Sequence, residues 1–115
     1  MRCTTALSER KGENMKIIKY LAEQIREELE DAEDYAKQAH KVKEEDRELS
    51  NTLAELSRQE LAHSDALHLQ AERLIKKTRD NGIVPPVAMT AVWDWEHERL
   101  IEKTAHVKHL IDMLR

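Results

Sequence analysis

From Met15 to about Lys43 the apolar residues Ile18, Leu21, Ile25, Ala32, Tyr35, Ala39 and Val42 recur at alternating spacings of three and four. Residues so spaced share one face of an α-helix, and the pattern predicts an amphipathic helix over 15–43. One slot of that stripe is filled by Glu28. Charged residues at 44–48 break the rhythm, and Asp46 is placed to cap a second helix. The second stripe reads Leu49, Leu53, Leu56, Glu60, His63, Leu67, Gln70 and Leu74, so two of its central positions are again polar. It predicts a helix over 47–80, ended by Asp80-Asn81-Gly82, where Gly or Asn supplies a left-handed cap. Pro85 and Pro86 block helix on their N-terminal side and suit the first turn of a third helix over 86–114. Its stripe is Met89, Trp93, Leu100, Thr104, Val107, Ile111 and Leu114, flanked by Val92, Ile101 and Leu110, and it contains His97.

Three long helices joined by short loops imply an all-α, up-down-up arrangement with antiparallel neighbours. Composition agrees: 37% of the 115 residues are charged, 3% are aromatic, and Gly and Pro number two each, which favours helix over strand. Helices of this length bury more apolar surface by pairing with a second copy, so a homodimer or higher homo-oligomer is expected. The single domain is expected over 15–115. Residues 1–14 read as a disordered polar leader. Within it Arg10-Lys11-Gly12-Glu13-Asn14 back-translates to a purine run resembling a bacterial ribosome-binding site, which makes Met15 a candidate start.

Charge narrows the partners. The net charge of -4 mixes both signs along every segment, and no basic stripe with interleaved aromatics appears, so nucleic acid is not expected as a partner. No apolar run reaches transmembrane length, and the first residues lack the apolar core of a signal peptide. One cysteine, Cys3, excludes a disulfide framework and a four-cysteine metal knuckle, and a cytoplasmic location is expected.

The candidate chemistry lies in the polar interruptions. Glu60 and His63, spaced Glu-x-x-His, project from one face about one turn apart and can reach one ion together. If the hairpin turns near Glu45, Glu28 lies seventeen residues from the turn on one arm, and Glu60 and His63 lie fifteen and eighteen from it on the other. At about 1.5 Å per residue the three groups are level to within a turn. Carboxylates with imidazole and no thiolate suit iron or manganese, and also zinc. Two Glu and one His are half of the four-Glu, two-His set of carboxylate-bridged di-iron bundles, and a two-fold dimer would complete it.

Glu28 and Tyr35, spaced Glu-x6-Tyr, with Ala39 and then Glu60-Leu61-Ala62-His63, resemble the metal-binding helices of the ferritin-like superfamily, particularly rubrerythrins and small half-ferritins. Glu27-Glu28-Leu29-Glu30 is similar to stretches of the encapsulated ferritins, which assemble dimeric sites from two-helix protomers. The resemblance spans about residues 17–79. It implies a four-helix-bundle core completed by dimerisation and a di-iron centre between subunits that oxidises Fe(II) with dioxygen or peroxide. It further implies that Glu28 is the carboxylate of the first helix, Glu60 the bridging carboxylate of the second, and His63 the imidazole ligand. Tyr35 would hydrogen-bond a ligand carboxylate. The third helix lacks a second Glu-x-x-His in its stripe, and the four-cysteine domain of rubrerythrins is missing.

Other readings stand beside these. Glu28 has an ion pair as its rival role, and Tyr35 has plain core packing. Glu27 and Glu30 are expected to face water. His97 lies about six residues nearer the second loop than His63, so it is read either as an outer group of the metal site or as a core histidine beside Trp93. His40, His68, His106 and His109 fall off the stripes and are expected at the surface. Gln70 is a candidate for fixing register across a dimer, and one of Trp93 and Trp95 for packing at a subunit contact. The rival to an iron protein is a non-catalytic oligomerisation or adaptor protein whose buried polar residues only set register.

Overall fold

A computed structural model describes residues 2–82 and 85–114, with side chains over 15–82, 85–87 and 89–114. Among the described residues the chain forms three helices, α1 (Arg2–Val42), α2 (Arg47–Asp80) and α3 (Val87–Asp112), and no strand. The all-α reading holds, and α2 has the expected bounds. α1 instead begins thirteen residues before Met15, through the stretch read as a leader. Good helix formers such as Ala6, Leu7, Glu9, Arg10 and Lys11 favour it, and Gly12 opposes it most, by about 1 kcal/mol. The side chains of that stretch, Cys3 among them, lie outside the described residues.

Both loops form as their capping residues dictate. The Asp46 carboxylate accepts a hydrogen bond from the Leu49 backbone N–H at 3.0 Å, satisfying a donor at the start of α2. α2 closes through the backbone N–H groups of Asn81 and Gly82, which donate to Lys77 and Arg79 carbonyls at 3.1 and 3.0 Å. Gly82 has φ 72°, a conformation that costs glycine nothing. Pro86 precedes α3, and the Met89 and Thr90 N–H groups donate to its carbonyl.

The line along which α1 meets α2 is built from small side chains. Ala32, Ala36 and Ala39 are fully buried on α1, facing a run of buried residues on α2 that includes Ser50, Ala54, Ser57 and Ser64. Ser57 donates its hydroxyl to the Ala32 carbonyl at 2.6 Å, and Ser50 donates to the Ala39 carbonyl at 2.8 Å. A serine hydroxyl reaches the backbone of a neighbouring helix only where the helices run close, and alanine permits that approach.

The buried line keeps Ile18, Leu21, Ile25, Ala32 and Ala39 of the α1 stripe and Leu74 of the α2 stripe, but at several positions between them it runs one residue later than apolar spacing predicts. Leu29 and Ala36 occupy the places assigned to Glu28 and Tyr35, and Ser50, Ala54, Ser57, Leu61 and Ser64 those assigned to Leu49, Leu53, Leu56, Glu60 and His63. Leu49 is exposed, and Tyr35, Leu53 and Leu56 are half-buried along the flank. A helix turns 3.6 residues at a time, so a stripe read at 3.5 drifts by about 20° per heptad. Close approach then selects the smallest residues for the contact line and leaves the larger ones beside it.

α3 packs mainly on α1. Val107 and Ile111 are buried against Ile25, Leu29, Ala36 and Leu61, while Trp93 sits on a second cluster of Ile18, Leu21, Ala71 and Leu74. Arg26, Glu33 and His40, one heptad apart on α1, each reach toward α3. Arg26 pairs with Glu96 at 2.8 Å, and His40 Nε2 lies 2.6 Å from the Leu110 carbonyl. His40 is thus half-buried rather than a surface group, because α3 crosses it. Burial tends to raise the Glu33 pKa. The hydrogen bond from Lys37 and the charges of Lys103, Lys37 and His106 outweigh that, and its carboxyl lies below the ordinary 4.5. Trp95 is exposed, with the Arg99 guanidinium 4.7 Å from its ring centre. Among the described residues no helix is long and apolar enough to cross a membrane.

Candidate metal centre

Glu28 comes from the middle of α1, and Glu60 and His63 from the middle of α2. Their levels agree as the count from the hairpin turn requires: His63 Nδ1 lies 3.5 Å from Glu28 Oε2 and 3.7 Å from Glu60 Oε2. One donor atom from each residue falls within 4.8 Å of the other two. Because the seam runs through Leu29 and Leu61, the three groups stand beside it rather than in it. Glu28 and Glu60 are 25% and 20% exposed, while His63 is 60% exposed, so the cluster opens outward on that side. Glu28 and Tyr35 follow Arg26 and Glu33 by two residues, about 200° around the helix, and so point away from α3.

Glu60 is the unusual member. Its Oε2 is fully shielded from solvent and has no hydrogen-bond partner among the described residues. A buried acceptor left unpaired costs about 1–3 kcal/mol, more when charged. A cation held jointly with Glu28 and His63 would remove that cost. Two carboxylates and one imidazole form an oxygen-rich donor set suited to iron, manganese or zinc.

Glu27 and Glu30 face water as expected. Tyr35 is half-buried on the Glu28 flank, and among the described residues no hydrogen bond joins its hydroxyl to either carboxylate. Gln70 is exposed and accepts a hydrogen bond from Arg73 at 2.9 Å.

His97 is placed elsewhere. It belongs to a separate group with His68 and Glu72, five residues beyond His63 on α2, so the role of outer group to the Glu28 cluster does not fit its position. His68, expected at the surface, is half-buried and lies 3.0 Å from His97, Nε2 to Nδ1. The signal for this pair was present in the sequence. The offset of about six residues that separates His97 from the level of His63 brings it close to the level of His68.

Comparison with protein-family models, with curated proteins and with solved structures gave no match.

Proposed function

We propose that the chain is a ferritin-like metal-binding protein whose Glu28, Glu60 and His63 form half of a two-metal centre, completed by the same residues of a second copy. The observation that carries this reading is the solvent-shielded Glu60 Oε2, without a hydrogen bond among the described residues, within a group whose donor atoms lie within 4.8 Å of one another. The half-buried Tyr35, Leu53 and Leu56, with exposed Leu49, leave an apolar strip on the hairpin-loop side of the cluster for a second hairpin to cover. An isologous contact there sets two half-sites face to face.

In this reading Fe(II) is the substrate, and its oxidation by dioxygen or peroxide is the reaction such a paired centre supports. Glu60 and Glu28 hold the ions and offset their charge, and His63 fixes their position from the exposed side. Manganese or zinc would be held by the same atoms without that turnover.

Anaerobic Fe(II) titration, joined to a mass measurement of the oligomer, tests the proposal. About one ion per chain in a dimer or larger assembly is expected, with Glu60→Ala or His63→Ala abolishing stoichiometric binding. Unaltered binding in both variants would sink the assignment. The 60% exposure of His63 also suits a second reading, a non-catalytic oligomerisation or adaptor protein in which these groups only fix register. For that, purified protein should carry no transition metal, and its oligomer should survive Glu60→Ala.

A further inference from the structure

We infer that His68, Glu72 and His97 form a second metal site, for a single zinc-class divalent ion, that ties α3 to α2 and is separate from the Glu28 cluster. His68 and Glu72 stand four apart on α2 and so share one face, and His97 meets them from α3. His68 Nε2 lies 3.0 Å from His97 Nδ1 and 3.4 Å from Glu72 Oε1, and all three donor atoms fall within 4.8 Å of one another. Two imidazole nitrogens bound to tetrahedral zinc at about 2.05 Å stand about 3.3 Å apart. The two rings therefore need only a few tenths of an ångström of adjustment to share an ion.

The chemistry differs from that of the first cluster in a way that sets the ion. Two imidazoles and one carboxylate favour zinc and its late first-row neighbours, whereas two carboxylates and one imidazole favour harder ions. The two sites share no ligand, so one can be emptied without touching the other.

Position supplies a second argument. The three residues border an open cleft of about 720 Å³ between the helices, walled by Ile18, Ile25, Ala71, Ile75, Met89 and Trp93. Its rim carries the Arg26–Glu96 ion pair. Three protein ligands leave a fourth position, which water or a small ligand entering from the cleft would take. Of the three helix pairs, α2 and α3 touch least, and His68–His97 is one of the places where they meet, between Trp93 on Ala71 and Leu74 and Val107 and Ile111 on Leu61. An ion there joins elements that side-chain packing leaves loosely attached.

Zn²⁺ titrated calorimetrically into the full chain at neutral pH, with Co²⁺ absorption as a readout of coordination, provides the test. The Glu60→Ala/His63→Ala double variant removes the first cluster, so failure there and failure here are read separately. That variant should still bind about one Zn²⁺ per chain, with the intense visible bands of tetrahedral Co²⁺. Adding Glu72→Ala, an exposed position whose loss leaves the fold intact, should weaken binding by about tenfold or more. Adding His97→Gln should abolish it and the Co²⁺ bands together. No Zn²⁺ binding by the double variant, or binding unchanged by both Glu72→Ala and His97→Gln, would overturn the proposal.

Discussion

α1 is held along two flanks by unlike means. Toward α2 it presents alanines, and two serine hydroxyls reach across to its carbonyls. Toward α3 it presents Arg26, Glu33 and His40, with apolar packing concentrated at Val107 and Ile111. The first contact is close, lined by small residues and continuous over much of the hairpin, with Glu28 and His63 beside it. The second is a row of polar links beside a short apolar ridge, next to an open cleft. The hairpin is therefore the scaffold, and α3 is docked on it by contacts that can be broken one at a time.

The largest effects should separate the two flanks. Ile111, 5% exposed in the cluster beneath α3, should cost about 2–5 kcal/mol when truncated to Ala. Amide exchange should show that cost as opening of α3 while the protection of α1 and α2 persists. Equal loss of protection across all three helices would make the chain one cooperative unit and erase the distinction. On the other flank, Ala32→Leu places a large side chain at a fully buried position whose carbonyl receives Ser57. Overpacking there should cost about 1–3 kcal/mol, seen in urea unfolding as loss of both hairpin arms together. A neutral result would mean that the helices stand farther apart than the serine hydrogen bonds require.

The part of this that was legible in the sequence is the part that apolar spacing and local chemistry can report. Helix number, the α2 bounds, the Asp46 cap, the turn at Gly82 and the α3 stripe around Val107 and Ile111 were all readable, because each rests on local chemistry or on large apolar residues. The α2 half of the hairpin's contact line, from Ser50 to Ser64, was not. Ser50, Ser57 and Ser64 carry no hydrophobic signal, and only the nearness of a second backbone makes them core residues. The convergence of Glu28, Glu60 and His63 survived that error because level along the bundle depends on counting from the turn, whereas facing depends on the exact pitch. His40 and His68 read as surface groups for a related reason: both look outward from the hairpin and are covered by α3.

The polar flank should respond to acid. The folded-state pKa of Glu33 lies below its ordinary 4.5, so its ionised form contributes stability that is present above that value and lost as pH falls through the lowered one. The contribution is about 0.5–1 kcal/mol, because Lys103 and His106 are partly solvated. Glu33→Gln should lower the melting temperature at neutral pH, and the difference from the parent chain should shrink as pH falls below the ordinary 4.5. A difference that stays constant with pH would place the effect in packing rather than charge.

The smallest effect is expected at the uncovered flank, and its sign matters more than its size. Leu61 and Glu60 are adjacent on α2, yet Leu61 is 6% exposed in the packed cluster while Glu60 holds an unpaired, shielded oxygen beside it. Exchanging Glu60 for Gln keeps the volume and removes the charge. Metal-free protein carrying Glu60→Gln should be as stable as the parent chain or more stable by up to about 1 kcal/mol, measured by denaturant unfolding in chelator. The same exchange should remove any stabilisation that added Fe(II) gives the parent, because an ion that binds only the folded chain stabilises it in proportion to its affinity. A clear loss of stability without metal would mean that Glu60 already has a partner in the free protein. The shielded oxygen would then no longer argue for a cation.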